Sequence, residues 1–259
     1  MNIEREIERI EALLEPYRLP FVELKPEPKN SESPWSSKFG GKPYWPKGMD
    51  YPKDNDGKPL FLLAQLNFDE LPIIKGYPAS GILQFFIADD DLYGMDFDRP
   101  INDVIDNHDT YRVVYHASVE KDIKQLTNDL PEVSENETLP LAREFCLTSE
   151  SKTELASVTD YRFEKHVSNP FELDDELWDE LSEVNSAEGS KIGGYANFTQ
   201  EDPRSDEPDE WLLLFQLDSD FFEEDEIMWG DMGVANFFIQ KSALENKDFS
   251  RVWYNWDCS

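Results

Sequence analysis

Two stretches of the chain repeat one another, and any fold must accommodate both. Leu60-Phe61-Leu62-Leu63-Ala64-Gln65-Leu66-Asn67 matches Trp211-Leu212-Leu213-Leu214-Phe215-Gln216-Leu217-Asp218 at an offset of 151 residues, and Gly81-Ile82-Leu83-Gln84-Phe85-Phe86-Ile87 matches Gly233-Val234-Ala235-Asn236-Phe237-Phe238-Ile239 at 152. A third pair, Ser37-Lys38-Phe39-Gly40-Gly41 and Ser190-Lys191-Ile192-Gly193-Gly194, falls at 153. Three ordered matches with a drifting offset predict an internal duplication. The expected fold is therefore α+β: one domain of two tandem β-rich repeats, about 21–116 and 145–259, sharing a single core. A polar, Pro-punctuated connector is expected over 118–140.

Local patterns fill in this frame. Ile3, Ile7, Ile10, Leu13 and Leu14 recur at helical spacing behind Asn2, which predicts an amphipathic helix over 2–15 that covers a sheet face. A second helix is expected over 171–184, just before the second repeat. Strands are expected at 21–24, 60–66, 82–87, 111–116, 145–148, 161–163, 211–217, 234–239 and 250–254. The copied strands are almost wholly apolar, so both of their faces should be covered. The 17 Phe, 10 Tyr and 7 Trp supply large buried areas that offset a hydrophobic content of only 39%.

Charge narrows the function classes. With 24 basic and 56 acidic residues the formal net charge is −32, which repels phosphate backbones and anionic lipid alike. Nucleic acid and membrane are thus disfavoured, and a basic protein partner is the expectation. The first residues lack the basic segment and apolar run of a secretory signal, so a cytoplasmic placement and a monomer are expected. Cys146 and Cys258 show no paired spacing, so free thiols are expected and no cofactor is implied.

Candidate chemistry is sparse. Gln65 and Gln216 are long amides inside the most apolar strands and must find hydrogen-bond partners, either in a neighbouring loop or in a pocket between the repeats. Trp229 and Asp231 precede a copied strand, and with His116 they complete the candidate pocket set for a hydrolase or small-molecule binder. Lys38, Gly40 and Gly41, like Lys191, Gly193 and Gly194, invite comparison with a phosphate loop, but the GxxxxGK[ST] spacing is absent and a turn is expected. The clusters Asp89-Asp90-Asp91 and Asp218-Ser219-Asp220 with Glu223-Glu224-Asp225-Glu226 lack the calcium-loop spacing, which leaves a calcium-dependent reading as the weaker alternative and no metal site assigned. No catalytic motif is recognised.

Taken together, Ser37-Lys38-Phe39-Gly40-Gly41-Lys42-Pro43, Leu62-Leu63-Ala64-Gln65-Leu66, Gly193-Gly194-Tyr195, Gln200-Glu201-Asp202-Pro203, Trp229-Gly230-Asp231-Met232-Gly233, Phe237-Phe238-Ile239 and Asp248-Phe249-Ser250-Arg251-Val252-Trp253 with Cys258 resemble the YwqG family of bacterial proteins. Asp257, where that family more often has Gln, and Asn197-Phe198, where Asp-Trp is common, depart from its pattern. The resemblance implies an α+β fold with a structural duplication, and it supplies no catalytic residue.

Overall fold

A computed structural model describes residues 2–96, 99–133, 139–205, 207 and 210–259. In chain order the elements are α1 (Ile3–Leu14), β1 (Leu19–Glu27), β2 (Lys38–Phe39), β3 (Phe61–Asn67), β4 (Ile82–Ile87), α2 (Ile101–Asp106), β5 (Tyr111–His116), β6 (Phe145–Glu154), α3 (Arg162–His166), α4 (Asp175–Val184), β7 (Lys191–Gly193), β8 (Trp211–Asp218), β9 (Asp220–Phe221), β10 (Glu226–Ile227), β11 (Val234–Gln240), α5 (Lys241–Asn246) and β12 (Val252–Asp257). Ten strands form one antiparallel sheet in the order β12-β11-β8-β7-β1-β6-β2-β3-β4-β5, and β9 pairs with β10 as a separate hairpin.

The sheet curls until its two outer strands nearly meet. Tyr111 on β5 donates its hydroxyl to the Val252 carbonyl on β12 at 2.6 Å, and its ring lies 5.4 Å from that of Tyr254. Inside the curl, alternate residues such as Leu83, Phe85 and Ile87 of β4 and Ala235, Phe237 and Ile239 of β11 build one aromatic-rich core with Phe39, Phe215 and Trp229. The intervening residues face outward yet are also buried: Leu62 and Phe86 pack under Trp45, and Trp211, Leu213, Phe238 and Trp253 pack with Phe198. Loops cover the outer face, which is why these strands carry almost no polar alternation.

At the centre, β1 and β6 form a nine-residue ladder from Leu19↔Glu154 to Glu27↔Cys146. Strand β1 pairs on its other side with β7, and β6 with β2. The two flanks carry like irregularities: the β3–β4 ladder skips Leu63 between Leu62 and Ala64, and the β8–β11 ladder skips Leu214 between Leu213 and Phe215.

Several expectations need correction. Residues 161–163 are not a strand, because Asp160 bonds to the Arg162 amide and starts the short helix α3. The second helix begins at Asp175, capped by the Asp174 side chain. The last strand is Val252–Asp257, because the Asp248 side chain caps the Ser250 amide and holds 248–250 in a turn. Helix α1, capped by Asn2, packs with α3 and α4 through Ile10, Leu14, Phe163, Leu177 and Leu181 rather than lying on a sheet face alone. In the connector, Leu126 is buried beside Tyr44, while 134–138 lie outside the described residues. Among the described residues, no helix is long and apolar enough to cross a membrane.

Candidate functional site

The two glutamines are held in matching ways. Gln65 Oε1 accepts from the Tyr44 amide at 2.7 Å, and its Nε2 donates to the Pro34 and Ser36 carbonyls. Gln216 Oε1 accepts from the Asn197 amide at 2.8 Å, and its Nε2 donates to the Ala187 and Gly189 carbonyls. Each side chain is fully buried. Each therefore stitches a covering loop to the outer face of its strand, with both amide hydrogens and the carbonyl oxygen engaged. Four strands, β7, β1, β6 and β2, separate them in the sheet.

His116 joins the first of these groups. Its Nε2 lies 2.8 Å from Gln84 Oε1, while Gln84 Nε2 donates to Gln65 Oε1 and to the Tyr44 carbonyl. Burial pulls the imidazole down to a pKa of about 4, so near neutral pH it is an uncharged donor in a closed network. Trp229 is fully buried in the core, edge-on to Tyr93. Asp231 is exposed, and among the described residues its backbone carbonyl is engaged by the Ser259 amide. Of the five candidate pocket residues, then, only Gln65 and His116 share one network.

The Lys-Gly-Gly motifs serve neither as phosphate loops nor as simple turns. Lys38 and Lys191 lie in β2 and β7, buried, where they pair with Glu144 at 3.3 Å and Glu154 at 2.9 Å. Burial pulls the Lys191 ammonium down and pushes the Glu154 carboxyl up, and their mutual attraction opposes both shifts. Gly40, Gly41, Gly193 and Gly194 all have left-handed φ, from 65° to 77°. At Gly41 and Gly194 a side chain is also sterically barred: a Cβ would stand 1.9 Å from Glu144 Oε2 and 2.0 Å from Glu154 Oε1. The glycines let the backbone close over a buried carboxylate, an arrangement invisible in a sequence so rich in glutamate.

A second buried charge cluster also escaped the sequence reading. Asp160-Tyr161-Arg162 and Asp202-Pro203-Arg204 each turn so that the aspartate accepts from the backbone amide and the guanidinium of its own arginine. Arg204, fully buried, bridges the two at 2.8 Å from Asp160 and 2.7 Å from Asp202. Burial alone would raise the Asp160 carboxyl, but Arg162 and Arg204 overcome it and hold it well below the usual carboxylate range. The repeated D-x-R spacing was the available signal.

One groove open to a partner, of about 630 Å³, lies beside the β9–β10 hairpin. Asp91, from the first acidic cluster, and Glu223, Glu224, Asp225 and Glu226, from the second, line it together with Tyr93, Leu141, Phe221, Phe222 and Met228. Phe221 is 54% exposed. Arg143, the basic residue lining the groove, is tied to Asp225 at 2.9 Å, while Asp91, Glu223, Glu224 and Glu226 have no ion-pair partner among the described residues. The same residues contain no cluster of three or more His, Cys, Asp or Glu able to hold a metal ion. A family model described as Domain of unknown function (DUF1963) matches residues 37–258, and no curated protein matches the chain.

Proposed function

The chain belongs to the family Domain of unknown function (DUF1963), and from its geometry we propose that it is a non-enzymatic binding module whose acidic groove engages a basic, amphipathic segment of another protein. The observation that carries this reading is the pairing of the unneutralised Asp91, Glu223, Glu224 and Glu226 with the exposed Phe221 around one groove. Carboxylates draw in lysine and arginine and set the association rate, while the aromatic floor supplies the apolar burial that charge alone does not. The engagement of Gln65 and Gln216 by covering loops and of His116 by Gln84 argues against the alternative of a hydrolase using them.

The finer resemblance to the YwqG family and the descent of the two flanks from one duplicated unit belong to the same proposal. The like bulges at Leu63 and Leu214 and the like bonding of Gln65 and Gln216 support the duplication.

Fluorescence anisotropy with a labelled peptide of alternating lysine and leucine tests the binding reading. Binding should weaken by about tenfold or more between low and high salt, because exposed charges are screened beyond roughly 8 Å at physiological ionic strength. It should also be lost in the E223K/E224K double variant. Binding that ignores both salt and charge reversal, or no binding at all, would overturn the proposal.

A further inference from the structure

Strand β5 ends the sheet, with β4 on one side and no strand on the other. The Ala88 amide donates to the Thr110 carbonyl at 2.6 Å, which fixes the alternation of the ladder. Residues 112, 114 and 116 therefore bond to β4, and the backbone groups of Val113 and Tyr115 point away from it. On the far side of the seam, the Val252 carbonyl also points into the gap, since Tyr111 reaches it with its hydroxyl. At Tyr111 the gap is thus bridged by a side chain rather than by a backbone ladder. Below Tyr111 it opens into a groove of about 660 Å³ between Arg112–Tyr115 and Lys247–Ser250.

Most of the carboxylates lining this groove already have partners. Its carboxylates are engaged: Asp106 with Arg251 at 2.9 Å, Asp109 with Arg99 at 3.6 Å, and Asp248 with the Ser250 amide and hydroxyl. Arg112 and Lys247 have no carboxylate partner among the described residues, and Arg112 uses one nitrogen on the His108 carbonyl at 3.0 Å. An unpaired sheet edge recognises extended backbone, and flanking cations select its side chains. We propose that the seam between β5 and residues 247–250 is a docking groove for an extended peptide bearing acidic side chains, which adds to β5 as a further strand. The net charge of the chain does not forbid this, because screening leaves the contacting pairs dominant.

The test uses the full chain and an acetylated peptide of alternating valine and glutamate, with a valine–lysine peptide as its counterpart. Hydrogen exchange should slow at the amides of Val113 and Tyr115 with the acidic peptide and not with the basic one. V113P removes an outward N–H, a change that edge strands tolerate, together with the buried Val113 side chain, and it should abolish the protection at Tyr115. K247N keeps a residue type suited to the left-handed conformation at that position; should V113P fail to fold, K247N alone decides, weakening the acidic peptide by about threefold to tenfold. Unchanged exchange at both amides with the acidic peptide at millimolar concentration, equal protection by the basic peptide, or unaltered affinity in K247N would overturn the proposal.

Discussion

Asp257 occupies on β12 the ladder position that His116 occupies on β5. His116 pairs with Ile82 and reaches diagonally to Gln84, while Asp257 pairs with Val234 and lies on the same diagonal from Asn236. On the first flank the diagonal carries a hydrogen bond. On the second, Asn236 Oδ1 and Asp257 Oδ1 are both buried acceptors without a partner among the described residues.

Replacing Asp257 should therefore stabilise the protein. Burial raises its carboxyl, opposed by hydrogen bonds from Gln200 and Thr199. A group raised in the folded state contributes stability at low pH and loses it as pH climbs through the folded pKa. D257N supplies an amide donor for Asn236 and removes the charge, for a gain of about 1–2 kcal/mol. Urea midpoints at pH 3.5, below the ordinary carboxyl value of 3.8, and at pH 8 check this: the advantage should be larger at pH 8, and a destabilised variant at both would sink the idea.

His116 should titrate against folding in the opposite sense. Its pKa falls from its ordinary value near 6.5 to about 4 on burial, so its contribution is complete above about 6.5 and is lost as pH drops through 4, amounting to roughly 3 kcal/mol at most. Asp218, raised to about 6 by burial, loses its contribution as pH rises. It is common to both proteins and cancels when wild type is compared with H116Q. The stability difference between the two should change between pH 7 and pH 4, and a difference that stays flat with pH would count against this account.

The glycines over the buried carboxylates should be irreplaceable. G41A and G194A each combine a left-handed φ with a Cβ at 1.9 Å or 2.0 Å from a carboxylate oxygen, and each should cost about 3 kcal/mol or more. At Gly189, where nothing lies within 4 Å of the added carbon, alanine should cost only the conformational penalty of about 1–2 kcal/mol. Thermal denaturation of the three variants ranks them; similar losses in all three would show that sterics at the carboxylates do not matter.

Strands β3, β4, β8 and β11 were legible because continuous apolar runs between turn residues leave little choice of structure. Gln65 and Gln216 were legible as residues in need of partners, since a buried amide demands them, although which loops supply those partners is a matter of tertiary packing. Glu144, Glu154 and Asp257 were not legible: among 56 acidic residues, no spacing marks the few whose carboxylates are buried. Arg162 and Arg204 hid for a related reason, because arginine is ordinarily a surface residue and only packing reveals its burial. The groove beside β9 and β10 brings together residues 91 and 221–226, a juxtaposition created by the curl of the sheet and absent from any local pattern.

The placement of β1 and β6 binds the molecule like a clasp. Strand β1 comes from the front of the chain but is flanked by β6 and β7, both from the rear, while β6 comes from the rear and is flanked by β1 and β2 from the front. Cut anywhere between β5 and β6, the chain becomes two fragments, each carrying the strand that completes the other. Neither fragment has a finished sheet by itself, and native structure then depends on their reunion.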